Sequence, residues 1–210
     1  MHDTKRPRSH RAPPPDRERL FDVASEQAGY FTAAQAQATG YSRSLLSHHV
    51  KSRLFNRVRH GLYRFRSYPP HPNEDIVAAW LSLGRDRAVL SHQTALSLHG
   101  LSDVISDALH FTIPRAARYM RPDRGIVIHT TTKPLPSSEV VLRGGIHVTS
   151  PVRSILDSVE AGIGPEQVDR AIRQAIRRGL ATTSQLRSAA HQRGARIAGL
   201  IGGSLARSRA

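Results

Sequence analysis

Between residues 42 and 66 the sequence gathers side chains suited to contact with a nucleic acid. Ser44, Ser47 and His48 can donate or accept hydrogen bonds at base edges, and Arg43 has the forked donors that fit guanine. Lys51, Arg53, Arg57, Arg59 and Arg64 carry the charge that meets phosphates, which positions a protein without selecting a sequence. From Gln27 to Asn73 there is no carboxylate at all. A purely solubilising surface would mix signs, whereas a phosphate-facing one must exclude acids that repel DNA.

Other chemistries find less support. The chain has 12 histidines, but their spacing argues against a metal site. His48 and His49 are adjacent, so on a helix they diverge by about 100°. His92 and His99 lie seven apart with no carboxylate on the same face, and His-Glu-x-x-His is absent. Neither a phosphate-binding Gly-x-x-x-x-Gly-Lys-Ser/Thr loop nor a Gly-x-Ser-x-Gly elbow occurs. Pro122-Asp123 could begin a metal-dependent nuclease core, but Glu139 is followed by Val140 and Val141 instead of the acidic-x-Lys pair such a core needs. Gly203-Ser204 is similar to a nucleotidyltransferase loop without the Asp pair that would bind magnesium. The reading is of a non-enzymatic chain with no cofactor and no metal.

The elements that position the cationic residues follow from local pattern. Residues 1–15 form a basic, proline-rich tail for which a disordered state is expected, either as an inert leader or as an arm brushing DNA. A helix is predicted from Asp16 to Ala28, with Leu20, Phe21, Ala24 and Ala28 on one face and Gly29 as its stop. Thr32 caps a short alanine-rich helix that Gly40 ends. Ser42 caps the next, from Arg43 to Arg53. Its Leu45, Leu46, His49 and Val50 gather on one side, and Arg43, Ser44, Ser47, His48 and Lys51 on the other. Leu54 to Phe65 reads as a hairpin turning at Arg59-His60-Gly61. Two short helices, a glycine turn, a polar-faced helix and a basic hairpin make a winged helix-turn-helix over residues 16–68.

Tyr68-Pro69-Pro70-His71-Pro72 is a stiff linker into a second domain, residues 73–194. There Asn73 and Ser91 are expected to cap helices. Leu109, Phe111 and Ile113 alternate as a strand, and Ile126–Thr130 forms another. Val140–Leu142 and Ile146–Val148 make a hairpin around Gly144-Gly145. Ser150 with Pro151, Pro165, and Ser184 open three closing helices, and residues 195–210 are expected to fray as a flexible basic tail. The fold class is α+β: a winged helix-turn-helix, then a mixed domain with a small antiparallel sheet and C-terminal helices.

Bulk arithmetic agrees. The 210 residues carry 31 Lys plus Arg against 16 Asp plus Glu, a formal +15. That charge is uneven: residues 1–15 hold +3, 16–68 hold +5, 69–164 are neutral and 165–210 hold +7. Such an excess suggests a polyanionic partner, double-stranded DNA first of all. Two further basic groups, Arg115, Arg118, Arg121 and Arg124 in one loop and Arg170, Arg173, Arg177 and Arg178 on one helix, have no assigned partner. No cysteine is present, which excludes disulfides, thiolate metal sites and cysteine nucleophiles. No apolar run reaches the roughly 18 residues of a membrane span, and no signal core opens the chain, so a cytoplasmic location is expected.

Several segments resemble a known family in combination. They are Gly29-Tyr30-Phe31-Thr32-Ala33-Ala34-Gln35-Ala36, Ser42-Arg43-Ser44-Leu45-Leu46 and Arg59-His60-Gly61-Leu62-Tyr63-Arg64, with Leu90-Ser91-His92-Gln93-Thr94-Ala95-Leu96 through Leu101 and Val148-Thr149-Ser150-Pro151-Val152-Arg153-Ser154-Ile155-Leu156-Asp157 further on. Together they are similar to the AbiEi family, the antitoxins of type IV toxin–antitoxin (abortive infection) systems, over about residues 18–194. The resemblance implies a winged-helix domain that represses its own operon and a second domain that counters a nucleotidyltransferase-like toxin. It implies the helix Arg43–Arg53 as the reader of DNA and Arg57, Arg59 and Arg64 as the wing, and assigns no toxin-contacting residue. The rival readings are an orphan winged-helix regulator, a divergent or remnant nuclease-like enzyme, and a pure protein-interaction module.

Overall fold

A computed structural model describes residues 14–102, 106–120 and 122–207. Most of the expected N-terminal tail, Arg121 and the last three residues lie outside them. The chain divides into two compact units, Met1–Ala78 and Ala79–Ala210.

In the first unit the order is α1 (Arg17–Ser25), β1 (Tyr30–Thr32), α2 (Ala33–Ala38), α3 (Arg43–Lys51), β2 (Phe55–Arg59) and β3 (Leu62–Phe65), then α4 (Glu74–Leu83), inside which the division falls. Helix starts are written in the side chains. Asp16 Oδ1 accepts from the Arg19 amide at 2.9 Å. Thr32 and Gln35 form a reciprocal capping box, with amide contacts of 3.2 and 2.8 Å. Ser42 Oγ accepts from the Leu45 amide at 3.2 Å. β3 lies between β1 and β2, antiparallel to both. β1 escapes the sequence reading because three residues show no alternation, and its pairing is to a strand about thirty residues away (Tyr30 against Arg64).

The core of this unit is aromatic. Phe31 and Phe55 meet edge to face at 4.9 Å, as do Phe55 and Phe65. Leu20, Ala24, Ala36, Tyr41 and Leu46 close around them. Each such ring, fully buried, contributes about 2–3 kcal/mol. Gly29 is required where the strand leaves α1: its φ is +83°, and a Cβ there would sit 2.4 Å from Tyr68 Cγ.

The second unit adds β4 (Val89–Leu90), α5 (His92–Leu98), β5 (Leu109–Pro114), β6 (Ile126–Thr131), β7 (Val140–Arg143), β8 (Ile146–Thr149), α6 (Pro151–Glu160), α7 (Pro165–Arg177), α8 (Thr183–Gln192) and α9 (Ala195–Arg207). Its five strands run β6-β5-β4-β8-β7. The sheet is mixed, larger than the small antiparallel one expected: β4 pairs antiparallel with β5 and parallel with β8, and β6 runs parallel to β5. Ser150 caps α6 through the Arg153 amide, with Pro151 at the first position. Ser91 makes no cap hydrogen bond with its side chain, contrary to expectation; its Oγ accepts instead from Thr112 Oγ1 at 2.9 Å.

The expected flexible tail is also corrected. Residues 195–207 form α9, and Ile197, Ile201 and Leu205 are buried with Leu96, Ile155, Ile172 and Leu186 in one cluster. Arg207 locks the helix by gripping Asp169 of α7 at 2.7 and 3.0 Å. Gly199, Gly202 and Gly203 hide this helix from propensity, while packing of its i, i+4, i+8 stripe holds it.

Candidate nucleic-acid interface

Helix α3 is amphipathic in the expected sense. Leu46 is 1% exposed against the aromatic core, and Leu45 and Val50 pack on it from the rim. His49 wedges between Tyr41 and Phe55, with ring centroids 5.7 and 5.3 Å away. Burial, then the charges of His48 and Arg17, lower its pKa, so this imidazole is a neutral packing group. Arg43, Ser44, Ser47, His48 and Lys51 are exposed on the outward side.

The hydroxyls there are partly engaged. Ser42 Oγ lies 2.9 Å from Ser44 Oγ while capping the helix, and Ser47 Oγ donates to the Arg43 carbonyl at 3.1 Å. These bonds are local and fix the rotamers of an exposed face. Arg43, Lys51, Arg53 and Arg57 take part in no ion pair among the described residues. By contrast, Arg153, Arg193 and Arg207 in the second unit each hold a carboxylate.

Arg53 follows the helix end with φ +61°. Its amide donates to the Val50 carbonyl and the next amide, Leu54, to that of His49, the pattern of a Schellman cap whose left-handed position is usually glycine. An arginine kept there accepts backbone strain and projects its exposed side chain beside the end of α3.

The wing is β2, β3 and the turn between them. Arg57 is exposed and its Nη2 lies 3.3 Å from Nδ1 of His60, so the turn histidine supports the arginine. His60 was not among the sequence candidates; the acid-free window that contains it is the signal for it. Arg59 is half-buried. Arg64 lies on β3, within the wing as expected, but its side chain is turned inward and engaged within the unit. It sits on the central strand, its side chain only 14% exposed, and donates to the carbonyls of Ala28 (3.3 Å) and Pro69 (2.8 Å) while pairing with Glu74. Its guanidinium also lies over the rings of Tyr30 and Tyr68.

Among the described residues no helix is long and apolar enough to cross a membrane. No curated protein matches the chain. A solved structure, the RV2827C protein from Mycobacterium tuberculosis, aligns with a TM-score of 0.43 at 12% identity, covering 87% of this chain and 75% of that one. Residues 18–66 match the family described as "Transcriptional regulator, AbiEi antitoxin". The matched segment begins in α1 and runs to the end of the wing, so the part of the chain that carries α3 is similar to the AbiEi antitoxin transcriptional regulators.

Proposed function

We propose that this chain is a DNA-binding antitoxin that represses its own operon by setting α3 in the major groove and the β2–β3 wing against the backbone. One observation carries the reading: Arg43, Lys51, Arg53 and Arg57 are exposed in a stretch free of carboxylates and have no ion-pair partner among the described residues. Arg43, Ser44, Ser47 and His48 would address bases, with Ser42 holding the helix start, and Lys51, Arg53, Arg57 and Arg59 would address phosphates. The AbiEi match over residues 18–66 favours this use of the domain. The second unit would counter a nucleotidyltransferase-like toxin encoded alongside, and the chain would act by binding, not turnover.

The test is a gel shift on the DNA upstream of its own gene. The Arg43→Ala/His48→Ala double variant should lose about 1–3 kcal/mol for each base contact removed. Unchanged affinity in that variant would sink the assignment of α3 as the reader. A neighbouring gene of another class would leave the repressor reading and remove the toxin partner.

A further inference from the structure

Three histidines far apart in sequence converge in the second unit. His92 begins α5, His110 lies on β5 and His129 on β6. The parallel register sets Thr112 against His129, so period-two alternation brings His110 and His129 to the same face of the sheet. His110 Nδ1 is 3.0 Å from His129 Nε2, and the rings of His92 and His129 stack with centroids 3.4 Å apart. One ring nitrogen from each residue lies within 4.8 Å of the other two. Adjacent nitrogens on a tetrahedral zinc ion stand about 3.3 Å apart, so binding an ion would draw the three nitrogens together and turn the stacked His92 and His129 rings toward a common point.

We propose that His92, His110 and His129 form a binding site for a divalent transition metal of the zinc type, with one coordination position open to the adjoining cleft.

Four features support it. His92 is 7% exposed and held at φ +54°, an unusual backbone for a side chain unless something fixes it. Its Nδ1 lies 2.9 Å from Ser91 Oγ, which in turn accepts from Thr112 Oγ1. With Nδ1 so engaged, Nε2 is the nitrogen left for the cluster, the second-shell arrangement that orients metal-binding imidazoles. Burial lowers the pKa of all three rings, that of His92 to about 3, so they are neutral and need release no proton to bind an ion. Finally, a cleft of about 360 Å³ opens beside His92 and His129, lined also by Thr112, Arg153, Asp157 and Glu160. Three protein ligands and an open side match the ligand count of exchangeable zinc sites, not of closed structural ones.

The alternative is a metal-free stack of neutral imidazoles. The full chain, freed of metal with a chelator, is titrated with Zn2+ against a chromophoric chelator. One equivalent should bind, and His110→Phe or His129→Phe should weaken binding at least tenfold. The His71→Ala/His191→Ala variant, lacking two exposed histidines, should bind like the parent. Because a cluster variant could misfold, the parent chain is also followed by NMR of its labelled imidazoles: His92, His110 and His129 should shift together as Zn2+ is added. No binding, shifts confined to other histidines, or folded cluster variants that bind undiminished would each overturn the site.

Discussion

Arg64 Nη2 lies 3.1 Å from Glu74 Oε2, and this pair spans the proline-rich segment between the wing's central strand and the start of α4. The arginine is thus a clasp within the first unit. Its removal leaves the Ala28 and Pro69 carbonyls without their donor. Arg64→Ala should therefore cost about 1–3 kcal/mol of that unit's stability, measured by urea unfolding. Its DNA affinity should keep the parent's dependence on salt. Lys51→Ala should do the reverse, leaving stability alone and reducing the slope of log affinity against log salt by about 1.

Arg53 offers a trade between folding and binding. Glycine relieves the left-handed backbone at that position, so Arg53→Gly should raise the unfolding free energy by about 0.5–1 kcal/mol. The same change removes an exposed cation beside α3 and should weaken operator binding. A more stable variant with unaltered affinity would take Arg53 out of the interface.

Asp157 is the centre of the second unit's ionic network. Its carboxylate accepts from Arg153 Nε at 2.8 and 3.0 Å and from Arg193 Nη1 at 2.8 Å, while Arg153 also reaches Glu139 and Arg193 reaches Glu160. Asp157 is 4% exposed and both arginines are largely covered. Asp157→Ala strands two half-buried cations and should cost about 3 kcal/mol or more in chemical denaturation. A loss near that of an exposed pair, below about 1 kcal/mol, would show that water replaces the carboxylate.

His99 gives the second unit an acid sensitivity. It is 1% exposed, its Nε2 donates to the Thr149 carbonyl at 2.8 Å, and its Nδ1 is buried with no hydrogen-bond partner among the described residues. Burial lowers its pKa; the Thr149 carbonyl works against the shift, and the charges of Arg143 and Arg178 add to it. Below about pH 6.5 the unfolded chain therefore takes up a proton that the folded one refuses. The stabilising effect is complete above that pH and fades as pH falls, by up to about 1.4 kcal/mol per pH unit. Unfolding midpoints followed from about pH 8 to pH 5 should fall less steeply in His99→Leu than in the parent. Parallel curves would show that His99 titrates alike in both states.

Much of the first unit is legible locally. Ser42 caps, Leu46 faces inward and Arg43 outward because a helix repeats every few residues, and that period is present in nine consecutive side chains. The inward engagement of Arg64 is not legible, for the opposite reason. Its neighbours in sequence say strand, but only the pairing with β1 and the return of the chain at Glu74 decide that it points to carbonyls and not to solvent. The histidine cluster was invisible on the same ground: spacing tests compare residues within one element, and His92, His110 and His129 come from three. α9 was missed because glycine content lowers helix propensity, whereas its stability comes from contacts that no local window contains.

The docking of α9 has a consequence for how the protein is made. The aromatic core of the first unit is complete once Phe65 has left the ribosome, and it can fold while the rest is still being synthesised. The helical core around Leu96 waits for Ile197, Ile201 and Leu205, a hundred residues later. During that interval the part of the cluster that α9 covers stays open, so this half of the nascent chain is the one most exposed to chaperones and proteases.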